Sequence, residues 1–213
     1  MMTARSSLRG LYAITPETRD TAWLTTAVAQ AVEGGARVVQ YRDKSGDGAL
    51  RLAQASALAE VCRSGGAYFI INDDIALALE VRANGVHLGR EDGAIADARR
   101  RLPEGALLGA SCYDRLELAQ AALKAGADHV AFGAVYSSSV KPGAVPASMD
   151  LFRTARARLD CPIVAIGGIT ADNAAAVIEA GADAVAVITA VFGAPDIRRA
   201  AAAIARLFPD TGK

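Results

Sequence analysis

The stretch AGADHVA at residues 125–131 decides the fold, because it recurs as AGADAVA at residues 180–186. In each copy an alanine-rich helical pattern ends at a glycine, a short turn follows, and a run of small and β-branched residues predicts a strand. The glycines Gly126 and Gly181 are predicted to end their helices because glycine tolerates the left-handed conformation, and Gly34 is predicted to do the same earlier in the chain. ANGVHLG at residues 83–89 resembles the two copies loosely. A repeated helix–turn–strand unit is typical of parallel sheets.

The same alternation of short β-rich runs and longer helical patterns extends along the whole chain. The predicted strands are LYAIT (11–15), ARVVQYR (36–42), AYFIIND (67–73), GVHLG (85–89), LLGASC (107–112), HVAFGAV (129–135), PIVAIGG (162–168) and AVAVITA (184–190). About eight such units in this length favour a (β/α)8 TIM barrel that forms a single domain over residues 1–213, with 1–9 and 209–213 as flexible ends. A doubly wound open sheet is the alternative, but its usual glycine-rich fingerprint is missing after LYAIT.

Composition excludes several classes of protein. Hydrophobic residues make up 52% of the chain and the mean hydropathy is +0.23, which is enough for a sizeable core. The 23 basic and 23 acidic residues balance, so no nucleic-acid partner is expected, and Arg99–Arg101 is interpreted as the solvated end of a helix. Cys62, Cys112 and Cys161 are far apart and odd in number, which predicts neither disulfides nor a zinc site. With no apolar leader or membrane-length apolar run, we expect a cytoplasmic protein without a membrane partner; a homo-oligomer is compatible with the sequence.

The end of the second predicted strand combines core and charged residues. In VVQYRDKSG (38–46), Gln40, Arg42 and Lys44 occupy every second position, so strand geometry puts them on one face, while Tyr41 and Asp43 turn away. At the carboxyl ends of barrel strands, where such folds carry their active sites, Arg and Lys would bind an anion such as phosphate. A surface ion pair with Asp43 is the alternative.

Carboxylates follow the next two strands. Asp73 and Asp74 follow strand 3 with Asn72, and Asp92 follows strand 4. Because Mg²⁺ binds one or two protein carboxylates and substrate phosphates, Asp73 and Asp92 form a candidate metal site; helix capping is the alternative and is the preferred interpretation of Asp74.

The remaining strand ends predict a second anion site. The loops after strands 7 and 8 commonly bind phosphate in such barrels. His87 and His129 lie within strands and are interpreted as packed structural residues rather than bases. The other candidates are Ser111 after strand 5, Ser138, Ser139, Val140 and Lys141 in the loop after strand 6, Gly167 and Gly168 after strand 7, and Ile188 and Thr189 after strand 8.

Together these motifs resemble the thiamine-phosphate synthase family over the whole chain. The resemblance implies a transferase that joins a hydroxymethylpyrimidine diphosphate to a thiazole phosphate, with Mg²⁺ as cofactor and thiamine phosphate and pyrophosphate as products. It places the pyrimidine diphosphate against Gln40, Tyr41, Arg42, Asp43, Lys44, Asn72, Ser111 and Lys141, the metal on Asp73 and Asp92, and the thiazole phosphate against Ser138, Ser139, Val140, Gly168, Ile188 and Thr189. Arg42, Lys44, Ser111 and Lys141 would be catalytic, through stabilisation of the leaving pyrophosphate.

One position departs from the family pattern, and three alternatives compete with it. Val140 stands where a threonine is usual, so any contact there must come from its backbone or from Ser138 or Ser139. The alternatives are a related thiazole tautomerase, a Schiff-base aldolase that uses Lys44 or Lys141, and a non-catalytic barrel that binds thiamine phosphate. The retained charged residues favour the synthase.

Overall fold

The computed structural model describes residues 8–89, 94–136 and 147–208. Within them, parallel strands pair in chain order and the last pairs with the first, which closes a barrel and confirms the predicted (β/α)8 architecture. The strands are β1 (Gly10–Ile14), β2 (Ala36–Tyr41), β3 (Tyr68–Asn72), β4 (Gly85–Leu88), β5 (Leu107–Tyr113), β6 (His129–Phe132), β7 (Ile163–Ile166) and β8 (Ala184–Val187).

Helices follow the strands and cover the outside of the barrel. They are α1 (Thr21–Glu33), α2 (Gly48–Gly65), α3 (Ile75–Glu80), α4 (Ile95–Arg101), α5 (Leu116–Lys124), α6 (Met149–Arg158), α7 (Ala174–Glu179), α8 (Thr189–Phe192) and α9 (Ile197–Ala205). Several begin at a side chain that accepts a hydrogen bond from a backbone N–H of the first turn, as expected of N-caps: Asp20, Asp47, Asp74, Ser148 and Asp196. The capping role predicted for Asp74 is therefore confirmed. No helix in the described ranges is long and apolar enough to cross a membrane.

The predicted strands overlap the observed ones but several run too far at their carboxyl ends. β8 ends at Val187, and Thr189 already begins α8, although AVAVITA reads as one continuous β-rich run. β6 likewise ends at Phe132 rather than at residue 135. Apolar composition continues past these strand ends, and Gly133, Ala134, Ile188 and Ala190 there line the cavity at the mouth of the barrel.

The repeated AGAD turn is held to the preceding strand by a pair of hydrogen bonds. The backbone N–H of Asp128 donates to Leu108 O at 2.7 Å, and the Asp128 carboxylate accepts from Leu108 N at 2.8 Å. Asp183 forms the same pair of bonds with Ile163, at 2.8 and 2.9 Å, and Asn84 forms it with Phe69. Each turn thus ties the start of an even-numbered strand to the strand before it, which sets the register of the pair.

The predicted helix ends need one correction. Gly126 and Gly181 have positive φ values of 106° and 118°, as the left-handed prediction requires. Gly34 has φ of −75°, and the following Gly35 takes the positive value, 99°. At Gly34 the reason for glycine is space, because an added Cβ would collide with Ala201 and with the Arg198 carbonyl of α9.

Side chains of the strands alternate between two buried layers. Inside the barrel lie Leu8, Tyr12, Ile14, Val38, Ile70, Leu107, Ala131, Val164, Ala184 and Ala186. The other strand face packs against the helices and forms the larger core. Both faces are buried, so the strands read as continuous apolar runs, as is usual in parallel sheets. Leu8, inside the segment predicted to be a flexible end, is completely buried.

Two predictions from composition have structural outcomes. Cys62, Cys112 and Cys161 are buried and form no disulfide bond, in agreement with the sequence prediction. The interpretation of Arg99–Arg101 as a solvated helix end is wrong for Arg99, which pairs with Asp128 at 3.1 Å and donates to Ala106 O at 2.9 Å. Arg99 therefore supports the AGAD turn, as Arg156 does for Asp183 at 2.7 Å.

Candidate active site

A cavity of about 620 Å³ opens at the carboxyl ends of the strands. This is the end of the barrel where such folds carry their active sites. Eight of the residues predicted from the sequence line it: Gln40, Arg42, Asn72, Ser111, Gly167, Gly168, Ile188 and Thr189. We call it the central cavity. Its size suits a small heterocyclic substrate.

A second cavity of about 460 Å³, the side cavity, adjoins it beyond β2 and β3. Asn72 lines both cavities, so they share one boundary. Charged residues dominate the lining of the side cavity, which includes Asp43, Lys44, Arg51, Asp73, Asp74 and Arg101. Such a lining suits a charged group better than a ring.

The predicted alternation along VVQYRDKSG holds only while the strand lasts. Gln40 is buried and Arg42 half-buried, and both face the central cavity, whereas Tyr41 turns to the helix side and its hydroxyl donates to Gln54 Oε1 at 2.9 Å. The Tyr41 side chain therefore faces neither cavity, although the resemblance counts it among the substrate contacts. Because β2 ends at Tyr41, Lys44 lies beyond the pleat and reaches the side cavity. Asp43, predicted to face away, also lines the side cavity, where it accepts hydrogen bonds from Ser45.

Gln40 is held at the bottom of the central cavity by an aromatic partner. Its Nε2 donates to the Tyr12 hydroxyl at 2.8 Å. Burial raises the pKa of Tyr12 well above its ordinary value, so this phenol is neutral. With its amide nitrogen fixed by Tyr12, Gln40 has a fixed orientation for recognising a polar ring.

The cations of the site are paired with acids. Arg42 Nη1 contacts Glu17 at 3.0 Å, and its backbone N–H donates to Thr15 Oγ1 at 3.0 Å. Lys44 Nζ lies 2.6 Å from Asp73 Oδ2, and half of the Lys44 side chain stays exposed. Exposed pairs of this kind are weak, so an incoming anion can exchange partners with them at small cost.

Side-chain oxygens beside Lys44 are of the kind that bind a hard cation such as Mg²⁺. Of the two predicted metal ligands, Asp73 is among the described residues and Asp92 is not. Asp73 has a positive φ of 65°, and its carboxylate accepts from Asn72 Nδ2 at 2.5 Å. Asp74 is occupied by its helix cap and by Arg51 at 2.9 Å. No group of three or more His, Cys, Asp or Glu side chains that could hold a metal occurs in residues 8–89, 94–136 and 147–208. A carboxylate and an amide oxygen are suitable ligands for Mg²⁺ if substrate oxygens complete the shell.

Ser111 has a histidine partner that the sequence analysis did not associate with it. His87 Nε2 lies 3.0 Å from Ser111 Oγ, and His87 itself lines the central cavity. Burial lowers the pKa of His87 to about 4, against a smaller opposing effect of the Asp73 charge. At neutral pH this imidazole is therefore uncharged, and it orients the serine hydroxyl.

The loops after β7 and β8 form the opposite wall of the central cavity. Gly167 and Gly168 have φ values of 105° and 63°. Asn173 secures this turn, because its amide donates to Gly168 O at 3.0 Å and its oxygen accepts from Thr170 N at 2.8 Å. An added Cβ at Gly167 would collide with Ala134, so the glycine lets two loops approach closely. This wall is built from backbone and small side chains, as expected where a phosphate binds.

Five predicted site residues lie outside the described residues: Asp92, Ser138, Ser139, Val140 and Lys141. Conversely, Tyr12, His87 and Tyr113 line the central cavity but were not among the predicted site residues. Tyr12 and His87 lie in strands and read as core. Tyr113 is exposed and has a positive φ of 55° at an irregularity of β5, a conformation that sequence alone does not reveal.

Comparisons with known proteins agree with this geometry. The model of the thiamine monophosphate synthase family matches residues 11–191. The chain is 57% identical over 201 residues to thiamine-phosphate synthase of Chromobacterium violaceum, covering 94% of this chain and 97% of the relative. It is 55% identical to thiamine-phosphate synthase of Thiobacillus denitrificans, covering 93% and 94% of the two chains.

A solved structure extends the similarity to three dimensions. Thiamine phosphate pyrophosphorylase from Pyrococcus furiosus superimposes with a TM-score of 0.86 at 36% identity, covering 95% of this chain and 96% of that one. The family match, the sequence identity and the shared fold agree with one another. They confirm the resemblance to the thiamine-phosphate synthase family that the sequence motifs indicated. The chain belongs to the thiamine monophosphate synthase family and is a transferase of thiamine biosynthesis.

Proposed function

We propose that the enzyme joins 4-amino-5-hydroxymethyl-2-methylpyrimidine diphosphate to a thiazole phosphate and releases thiamine phosphate and pyrophosphate. The bond between the pyrimidine methylene carbon and the diphosphate oxygen breaks first, and its electron pair leaves with pyrophosphate. The thiazole nitrogen then forms the new C–N bond with its lone pair. An electron-rich aminopyrimidine tolerates the positive charge that develops at the methylene carbon, so no protein nucleophile is needed.

The observation that carries this proposal is the position of Asn72 on both cavities. A substrate that lies across this boundary would put its ring in the central cavity, against Gln40 and Ser111, and its diphosphate among the charges of the side cavity. Lys44 would then exchange Asp73 for a diphosphate oxygen, and Arg42 would do the same with Glu17. Fixed cations at the leaving group stabilise the charge that builds up as the bond breaks.

The thiazole phosphate would occupy the other wall of the central cavity. Gly168, Ile188 and Thr189 offer backbone groups and one hydroxyl in the same cavity that Gln40 lines. Ser138, Ser139 and Val140 would complete this subsite from the loop after β6. Holding both rings in one cavity supplies the proximity that a bond between two substrates requires.

Asp73 and Asp92 would hold Mg²⁺ beside the diphosphate. The ion, when bound, supplies Lewis-acid stabilisation of the leaving oxygens. Asn72 would keep the Asp73 carboxylate oriented through the hydrogen bond described above. Lys141 would add a further cation from the loop after β6. A cytoplasmic location stays a prediction, and three buried cysteines without a disulfide bond are compatible with it.

The test is to mix the purified enzyme with both phosphorylated substrates and Mg²⁺ and to measure thiamine phosphate and pyrophosphate. Lys44→Ala should lower kcat by about 100-fold or more, because a cation that stabilises the leaving group is lost. The matched control is Lys124→Ala, which removes an exposed lysine at the end of α5 and should leave turnover unchanged. Asp92→Ala should also abolish most turnover without unfolding the protein.

Three results would refute the proposal. Formation of no thiamine phosphate, with isomerisation of the thiazole instead, would favour the tautomerase. Full activity of Asp92→Ala would remove the metal assignment. Equal turnover of Lys44→Ala and Lys124→Ala would show that the side cavity takes no part in the reaction.

A further inference from the structure

Two histidines face each other beneath the central cavity, across a glycine. His87 on β4, Gly109 on β5 and His129 on β6 are neighbours in one row of the barrel. The imidazole centroids are 5.6 Å apart and the rings are tilted by 39°. An added Cβ on Gly109 would lie under 3.0 Å from both His87 Nδ1 and His129 Nε2. Glycine therefore allows these two nitrogens to approach one point. No hydrogen bond joins them directly, but they are close enough for one water to bridge them.

Both rings are buried with ring nitrogens that need partners. His129 is completely buried, and His87 is 7% exposed. Among the residues that the structure describes, His87 Nδ1 and both nitrogens of His129 have no hydrogen-bond partner. Buried polar atoms in folded proteins are nearly always satisfied, by protein groups or by ordered water. The nitrogens that converge in front of Gly109 satisfy each other if they are linked.

We propose that His129, His87 and Ser111 form a hydrogen-bond chain with a fixed direction, which makes Ser111 a donor into the central cavity. His129 Nε2–H donates to one bridging water, which donates to His87 Nδ1. His87 Nε2–H then donates to Ser111 Oγ, and the Ser111 proton is left to point at the substrate. His129 and His87 are positioning residues in this chain, and it rests on the function proposed above.

The direction follows from what each end of the chain can accept. In the opposite direction His129 would carry its proton on Nδ1, where the described residues provide no acceptor. A buried N–H without a partner is rarer in proteins than a buried acceptor without one. At the other end, diphosphate oxygens and pyrimidine ring nitrogens accept hydrogen bonds, so a serine that contacts them must donate. Both ends favour the same tautomer of His87, with the proton on Nε2.

The polypeptide contains only these two histidines, so the tautomer of His87 can be measured directly. We would label histidine isotopically in protein without a histidine tag and read both imidazoles by heteronuclear NMR near neutral pH. His87 should carry its proton on Nε2, and the His129→Gln variant assigns the two signals. Because the proposed chain puts the proton on Nε2 of both rings, either ring protonated on Nδ1 would overturn the proposal even if no variant folds.

Substitutions then test whether His129 acts on Ser111 or only packs. His129→Leu removes the donor and should leave His87 as a mixture of tautomers, with kcat/KM lowered about tenfold. His129→Gln keeps an N–H donor and should restore part of that loss. The matched control is Ile70→Val, which trims the same inner layer without a polar group and should change thermal stability but not the tautomer.

The inference can fail separately from the proposed function. An unchanged tautomer and unchanged kcat/KM in His129→Leu would refute the chain while the synthase reaction stands. A wild-type protein that forms no thiamine phosphate would refute the proposed function, and the NMR spectrum would still report the tautomer.

Discussion

Acid should destabilise this protein through His129, and the structure gives the size of the effect. Burial, with a smaller contribution from repulsion by His87, lowers the pKa of His129 from 6.5 to about 3. Among the described residues, the rings facing it are those of His87 and Tyr12. The unfolded chain therefore binds a proton here at a pH where the folded protein does not.

The sign and magnitude follow from linkage. Because the folded pKa is depressed, stability is lost as pH falls below the unfolded pKa of 6.5 and continues to be lost down to about 3. Between about pH 7 and pH 5, His129 takes up most of a proton on unfolding, which lowers the unfolding free energy by roughly 2 kcal/mol. His87, with its pKa lowered to about 4, adds a loss of the same sign. Carboxyl groups ordinarily titrate near pH ~4 and contribute little in this window.

The assay is urea unfolding followed by circular dichroism at several pH values across this window. Wild type should lose more stability than His129→Leu, and the difference between their losses should be roughly 2 kcal/mol. Lys124→Ala, which changes an exposed residue, should follow the wild-type curve. If wild type and His129→Leu lose the same stability on acidification, His129 is not held neutral in the folded protein and the reasoning is wrong.

Two further predictions concern stability at neutral pH. Asp183→Asn should lower the unfolding free energy by about 3 kcal/mol, because it leaves the half-buried Arg156 without its carboxylate and weakens the hydrogen bond from Ile163 N. Chemical denaturation measures this change, and a loss below about 1 kcal/mol would show that the AGAD turn does not hold the two strands together. Leu8→Ala should lower the unfolding free energy by about 2–5 kcal/mol, because a completely buried side chain is truncated. Removal of residues 209–213 should leave the melting temperature unchanged. Equal melting temperatures for Leu8→Ala and wild type would contradict the packing of Leu8 inside the barrel.

The fold could be predicted from the sequence because its signals are local. Strands buried on both faces read as apolar runs, and helices carry caps and terminal glycines that depend on neighbouring residues only. The AGAD repeat is also visible in the sequence, although Asp128 and Asp183 bond Leu108 and Ile163 in the preceding strands, 20 residues away. Strand ends were predicted less well, because Thr189 lies in the same apolar run as β8 and only the barrel mouth determines where pairing stops.

The candidate site divides in the same way. Gln40, Arg42 and Asn72 were predictable because polar residues at the end of an apolar strand are anomalous and a barrel collects strand ends at one rim. Tyr12 and His87 were not, because an aromatic residue inside a strand looks like core whichever face it takes. Their contacts with Gln40 and Ser111 join residues 28 and 24 positions apart, and no local pattern encodes such contacts.

By itself the sequence determined the class of fold, the family and the residue types that meet at the rim, because these follow from periodicity, turn chemistry and motif order. Only the tertiary structure decided which of those residues act together. Closure of the barrel places Lys44 on Asp73, turns Tyr41 outward, and brings two buried histidines together across Gly109. The physical reason is that strand register and the point where a strand ends depend on long-range packing. Asp43 and Lys44, beyond the end of β2, therefore leave the alternation that the sequence predicts.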